Sequence, residues 1–300
     1  MPKKTCIVVV GPTAVGKTSI AIALARHFGT DIISADSRQC FKELHIGVAK
    51  PTDQQLQQVK HYFINSHSIT EEVNAGSFEQ YALNAAAEIF AEKDIAIMAG
   101  GTGLYVKAFC EGMDMVPTAD AELRNIITKL YEEQGIPWLQ QQLKEKDPEW
   151  FAVGETQNPQ RMMRALEVVM QTGKSILSFQ KAAKAERDFE VIKIGLNLPR
   201  TELYKNINTR VDEMIDAGLE NEVRALLPYR NRNALQTVGY REIFEYIDGQ
   251  TDRSTAIANI KTNTRHYAKR QLTWFAKDSS ISWFSPLDYS QLIKFFNNLV

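Results

Sequence analysis

The sequence predicts an α/β fold: a P-loop parallel sheet core flanked by helices, carrying a helical insertion domain. Short β-branched runs alternate with helical patterns through the first third of the chain. A glycine-rich loop joins the first run to the first helix, and strand signals vanish between about Pro117 and Arg187 before returning. Alternation of this kind favours parallel strands with helical crossovers covering both faces.

The elements follow in order. CIVVV, from Cys6 to Val10, is a continuous apolar run suited to a strand buried on both faces, and SIAIALARHF behind it has helical periodicity. IISA at 32–35 and IAIM at 95–98 are the next strands, the latter running into a glycine-rich turn and LYVKAFC. Residues 120–134, 137–146 and 159–171 read as helices. The last has Asn158 as N-cap, Pro159 at its first position and Gly173 as terminator. FEVIKIGLNL at 189–198 is a strand expected to rejoin the sheet. Helices then dominate, at 201–217 before Gly218, at 219–227 before Pro228, and at about 253–276. The predicted organisation is a catalytic core of residues 1–117 and 188–300 around a helical insertion of 118–187.

Composition narrows the function. With 35 Lys plus Arg against 36 Asp plus Glu, any footprint for nucleic acid must be local. The three cysteines are far apart and lack metal-ligand spacing, which fits a reduced cytoplasmic compartment and argues against a disulfide framework or a zinc site. His61, His67 and His266 show no ligand spacing either. The opening MPKKTCIVVVGPTAVGKT is a strand and loop rather than a leader, because Gly11, Pro12 and Lys17 break the apolar run. No run approaches the ~20 apolar residues of a membrane span. A cytoplasmic protein without a membrane partner is expected, and nothing demands more than a monomer.

GPTAVGKT, residues 11–18, fits G-x-x-x-x-G-K-[ST] between a strand and a helix. Backbone amides of Gly11, Pro12, Thr13, Ala14, Val15 and Gly16, as far as each has one, curl around a diphosphate at a helix N-terminus. Lys17 neutralises phosphate oxygens, and the Thr18 hydroxyl is the expected ligand of Mg²⁺. The loop serves nucleoside triphosphates equally well, so ATP is an alternative occupant. Nucleotide hydrolases also want an Asp ending another strand, and only IISAD offers one.

Ligands of a parallel sheet bind outside the carboxyl ends of its strands. Three loops meet there: GPTAVGKT, DSRQ at 36–39 and GGTG at 100–103. Asp36 is therefore expected beside a bound diphosphate, near an acceptor. The plainer alternative is an Asx-type turn residue that only caps the next segment.

The motifs GPTAVGKT, SADSRQ, IGVAKP, AGGTGLY, NPQRMMRALEV, GLENEV, VGYREI and NTRHYAKRQLTWF occur in this order. In this the sequence resembles the bacterial tRNA dimethylallyltransferase family, over roughly residues 5–284. The resemblance implies transfer of a dimethylallyl group from dimethylallyl diphosphate to N6 of adenosine 37, in the anticodon stem-loop of tRNA. The loop then holds the leaving diphosphate, assisted by Lys17, Mg²⁺ on Thr18, and Arg210. Asp36 orients the adenine amine and accepts its proton, with Thr102 assisting. Two features depart from the family pattern. Cys40 and Phe41 follow DSRQ where an aliphatic residue and Tyr are usual, and Asn206 stands where an arginine is expected.

A stacked adenosine must be flipped out to reach such a site. In the helix at 159–171, Met162, Leu166, Val169 and Met170 share an apolar face expected to be core, while Gln160, Arg164, Glu167 and Gln171 lie on another. The resemblance implies tRNA contacts from Gln160, Arg161, Met162, Met163 and Arg164, from Arg124, and from Asp36, Ser37, Arg38, Gln39 and Thr102. The long helix speaks for itself: residues 253–277 hold six basic and no acidic residues. Lys261, Arg265 and Lys269 line one side, at a like-charge cost of about 0.2–0.5 kcal/mol each that a phosphate backbone would offset. Tyr267 and Trp274 are expected in the core. A small-molecule or nucleotide kinase, with Asp36 positioning a hydroxyl and the insertion as a lid, is the main alternative. A non-catalytic RNA-binding ATPase is the other.

Overall fold

The computed structural model describes residues 3–114, 116–180 and 184–297. The chain forms two compact units, Met1–Gly112 with Glu186–Val300, and Met113–Ala185.

The larger unit is built on a parallel sheet of β1 (Thr5–Val10), β2 (Ile32–Ser34), β3 (His61–Tyr62), β4 (Ile95–Gly100), β5 (Glu190–Leu196) and β6 (Ser282–Phe284), in the order β3-β2-β4-β1-β5-β6. β1 lies between β4 and β5, so both its edges are paired. Its side chains alternate between two cores. Cys6, Val8 and Val10 pack with Phe78 and Phe109, whereas Ile7 and Val9 pack with Leu24, Leu292 and Phe296. Burial on both faces is why the strand reads as an unbroken apolar run.

Helices α1 (Lys17–Phe28), α2 (Asp53–Leu56), α3 (Ala75–Glu92) and α4 (Gly103–Glu111) accompany the first strands. The expected return at 189–198 is β5, parallel to β1. Beyond it the expected helices are present. The sheet also gains a sixth strand, β6, which the sequence reading missed because only three residues pair with β5. The short β3 was missed for the same reason.

In the smaller unit, α5 (Ala121–Lys146) is broken at Gly135, with φ 73° and ψ −167°, which separates the two helices expected there. α6 (Pro148–Val153) was not anticipated, and α7 (Pro159–Thr172) follows. The Asn158 side chain caps α7 by accepting from the Arg161 amide at 3.3 Å, and Gly173 closes it at φ 69°. Ile127, Leu139, Leu143, Trp150 and Leu166 form the core of this unit. Met162 and Met163 belong to that core, at 0% and 8% exposure, so neither is placed to touch RNA as expected. Met170, expected in the core, is exposed.

The larger unit continues with α8 (Arg200–Asp216), α9 (Leu219–Ala225), α10 (Tyr240–Ile247), α11 (Arg253–Phe275) and α12 (Tyr289–Asn297). Long α11 serves both cores, with Ile260 and Phe275 in one and Ala268 in the other. Among the described residues, no helix is long and apolar enough to cross a membrane.

One buried charge organises the smaller unit. Glu167, 3% exposed, accepts from Arg124 at 2.9 and 3.1 Å and from Arg164 at 3.3 Å. Arg164 also donates to the Pro117 carbonyl at 2.6 Å. Removing the carboxylate leaves two guanidiniums together. Glu167→Ala is expected to destabilise this unit by about 2–3 kcal/mol. Hydrogen exchange on the full chain should show faster exchange in α5 and α7 with β1 unchanged.

Candidate active site

The loop after β1 carries Ala14 at φ 63° and delivers Lys17 as the first residue of α1. The Lys17 ammonium donates to the Pro12 carbonyl at 2.7 Å, within the same loop. Burial lowers its pKa to about 7, the charge of Asp36 opposing the shift and that of Arg210 adding to it. Arg210, on α8, reaches the loop and donates to the Thr13 hydroxyl at 3.4 Å; burial lowers its pKa too. Thr13, Ala14, Gly16, Lys17, Thr18, Asp36, Gln39 and Arg210 line one cavity of about 590 Å³. Gly11, Pro12 and Val15 are buried behind it. Among the described residues no group of three or more His, Cys, Asp or Glu could hold a metal ion. A cation here would take its oxygens from Thr18 and from a bound phosphate, the donor set that Mg²⁺ prefers.

Asp36 lies two residues past β2. Its Oδ1 accepts from the amides of Arg38 at 2.9 Å and Gln39 at 3.3 Å, so the side chain does form the turn considered as its plainer role. Among the described residues, Oδ2 has no hydrogen-bond partner. One oxygen is thus fixed by the backbone while the other belongs to a group lining the cavity. The Thr102 hydroxyl accepts from the Ser37 amide at 3.1 Å, and the Thr102 amide donates to the Ala35 carbonyl at 3.2 Å. The GGTG loop and the DSRQ turn are therefore one assembly. The Gln39 side-chain amide donates to the carbonyls of Val48 and Ala49, at 3.3 and 3.1 Å. Arg38 reaches Asn233 only at 3.4 Å.

These loops are the ones that carry the motifs, and comparison with known proteins agrees. A sequence model of IPP transferases matches residues 39–278. The chain belongs to the IPP transferase family. A tRNA dimethylallyltransferase from Cytophaga hutchinsonii is 53% identical over 97% of this chain and 96% of its own length. Another from Bacteroides thetaiotaomicron is 43% identical over 97% and 94%. The full-length tRNA isopentenylpyrophosphate transferase from Bacillus halodurans superposes with a TM-score of 0.73 at 32% identity, covering 99% of this chain and 96% of that one. A eukaryotic dimethylallyltransferase acting on tRNA gives 0.76 at 26% identity, over 96% and 75%.

Within this IPP transferase the departures from pattern have local explanations. Phe41 is buried in the core, so its ring packs where a hydroxyl would find no water. Cys40 is buried too, and desolvation, with Asp36 nearby, pushes its thiol up to about 12. Asn206 donates to the Ala14 carbonyl at 3.4 Å, a neutral contact to the loop.

Three site residues on α11 escaped the sequence reading, at spacings of i, i+4 and i+7. Tyr267 lines the cavity rather than the core, and burial, reinforced by Asp36, pushes its phenol up to about 12 against the opposing effect of Thr102. Gln271, 6% exposed, accepts from the Thr13 amide at 2.8 Å and donates to the Gly101 carbonyl at 2.9 Å. It clasps the phosphate loop to the GGTG loop. A Cβ on Gly101 would come within 2.1 Å of that amide nitrogen, so a larger residue would push the clasp aside. Trp274 covers Gly103 and is 39% exposed, not core as expected. The signal was the polar Gln facing inward among basic residues.

The expected RNA contacts divide. On α11, Lys261 pairs with Asp212 of α8 at 2.6 Å, so the acid missing from its own helix comes from a neighbour. Arg265 donates to Thr262 at 2.9 Å and lies 5.7 Å from the Tyr204 ring centroid, while Lys269 is exposed. In the smaller unit Arg124 and Arg164 engage Glu167. Gln160 and Arg161 face solvent, the latter paired with Glu155 at 2.7 Å.

The lysine sets a pH dependence. Lys17 is cationic below about pH 7 and neutral above it. Because an anion binds the cation, the affinity for sulfate, whose own charge is constant across this range, should be greatest below that pH. It should fall by up to about tenfold per unit above it. Titration calorimetry across this range checks the outcome; a flat profile would show that Lys17 stays charged.

Proposed function

We propose that this enzyme transfers the dimethylallyl group of dimethylallyl diphosphate to N6 of adenosine 37 in tRNA. The observation that carries the reading is a single cavity in which Lys17 and Arg210 face the phosphate loop while Asp36, anchored through Oδ1, leaves Oδ2 without a hydrogen-bond partner among the described residues. Membership of the IPP transferase family and relatives named tRNA dimethylallyltransferase support it.

The chemistry follows from these groups. The allylic C–O bond breaks, and its electron pair leaves with diphosphate. Lys17, Arg210 and loop amides stabilise that growing negative charge. The Thr13 amide is engaged by Gln271, so the amides nearer α1 perform this task. Thr18 would hold Mg²⁺ against the diphosphate oxygens, and the ion would supply further charge neutralisation. The N6 lone pair forms the new C–N bond as the allyl carbon becomes electron-poor. An adenine amine is too weak an acid to lose its proton beforehand, so the proton passes to Asp36 Oδ2 during or after attack. Thr102 fixes the turn that presents Asp36, and Tyr267 lines the same cavity.

For the tRNA, Arg124, Gln160 and Arg161 of the smaller unit and Lys269 of the larger are the exposed members of the expected set. The anticodon stem-loop, with adenosine 37 extruded, is the substrate this chemistry requires. Such a substrate places the protein in the cytoplasm.

The test is incubation with Mg²⁺, dimethylallyl diphosphate and unmodified tRNA bearing adenosines 36 and 37, followed by nuclease digestion and mass analysis. N6-dimethylallyladenosine is expected. Its absence, with γ-phosphate transfer from ATP to a small acceptor instead, would overturn the proposal. Asp36→Ala should bind tRNA and donor within a few-fold of normal yet lose turnover by about 10²–10⁴. Retention of most activity would reduce Asp36 to its turn-forming role.

A further inference from the structure

The segment HIGVAK, residues 45–50, has no regular secondary structure, yet His45, Ile46, Val48 and Ala49 line the cavity. The amides of Ala49 and Lys50 turn back onto the carbonyls of Ile46 and His45, and the first three amides find one side chain. Glu222, on α9, accepts from His45 N at 3.1 Å and Ile46 N at 2.8 Å through Oε2, and from Gly47 N at 3.0 Å through Oε1. The Tyr240 hydroxyl donates to Oε1 at 2.5 Å. Four donors saturate the carboxylate. Tyr240 is fully buried, and burial followed by the Glu222 charge raises its pKa, so it stays a donor. Its ring covers Gly47 so closely that a Cβ there would lie 2.5 Å away.

The carbonyls of the same segment face the other way. Val48 and Ala49 accept from Gln39, which follows directly on the Asp36 turn, and Ala49 is held at φ 48°. The segment is thus stretched between Glu222 on one side and the Asp36 turn on the other. Ile46, Val48 and Ala49, with Met214, give this wall of the cavity its apolar surface, whereas Lys17, Thr18 and Arg210 supply the polar end. Glu222 itself is not among the cavity's lining residues, so it acts through the segment.

We propose that Glu222 is a positioning residue for the donor: by gathering three consecutive amides it sets the apolar wall against which the prenyl group lies, and thereby the size of prenyl group accepted. The proposal rests on the prenyl-transfer reading. Without the carboxylate the three amides lose their common acceptor, the wall relaxes, and both affinity for the short donor and rejection of a longer one decline.

The experiment uses the full chain as wild type, Glu222→Ala, Glu222→Gln and Tyr240→Phe, with dimethylallyl and geranyl diphosphates as alternative donors. Glu222→Ala should raise the dimethylallyl diphosphate KM about tenfold, leave the tRNA KM within about twofold, and reduce discrimination against geranyl diphosphate about fivefold. Glu222→Gln, which keeps one acceptor oxygen, should fall between Ala and wild type, and carries the test with Tyr240→Phe if the Ala variant does not fold. Hydrogen exchange should show protection at residues 45–47 lost in the same order. Faster exchange there with unchanged donor KM and discrimination would overturn the positioning role and leave prenyl transfer standing. Wild-type protein that transfers no prenyl group from either donor would overturn both.

Discussion

The candidate site hangs from β1, a strand with neither an edge nor a face in water. β4 and β5 pair both its edges, and two cores cover its faces. A strand so enclosed cannot shift register without moving both cores, so the loop that follows it starts from a fixed point. The GGTG loop follows its neighbour β4, and Asp36 follows β2 on the far side of β4. Three short segments thus reach one sheet edge with little freedom of their own. The remaining slack is removed by side chains from later in the chain, Gln271 and Glu222 among them.

Charge is distributed across elements rather than along them. The basic α11 borrows Asp212 from α8, and Glu167 draws two arginines together inside the smaller unit. A net charge near zero therefore conceals local specialisation. At the phosphate loop the balance is deliberately incomplete. Lys17 and Arg210 are desolvated, and among the described residues neither has a carboxylate hydrogen-bonded at close range. Cations held this way interact with an incoming anion at a lower effective dielectric than they would in water.

How much of this could be read from sequence depends on the range of the interaction. The phosphate loop and Lys17, Thr18 and Asp36 were legible because each falls within a short motif at a strand end. The parallel sheet was legible from β1 and β4, whose burial on both faces leaves a continuous apolar record. Gln271 and Glu222 were not, since their partners lie 258 and 175 residues away. Nothing local distinguishes a clasping glutamine from a solvated one. Periodicity put Met162 in the core correctly, while the tRNA contact implied for Met162 and Met163 came from a motif treated as a unit, which ignores that one helix face is committed to packing. Tyr267 and Trp274 failed in the opposite direction. Aromatic residues on a long helix are usually core, and here two of them border the glycines and hydroxyl of the GGTG loop.

The hydrogen bond from Lys17 to Pro12 ties the lysine to its own loop. An ammonium carries three N–H donors and the carbonyl takes one, so two remain for phosphate oxygens while the first holds the side chain in place. The contact therefore acts as a tether: the cation is held at the loop, and less side-chain entropy is lost when an anion binds there.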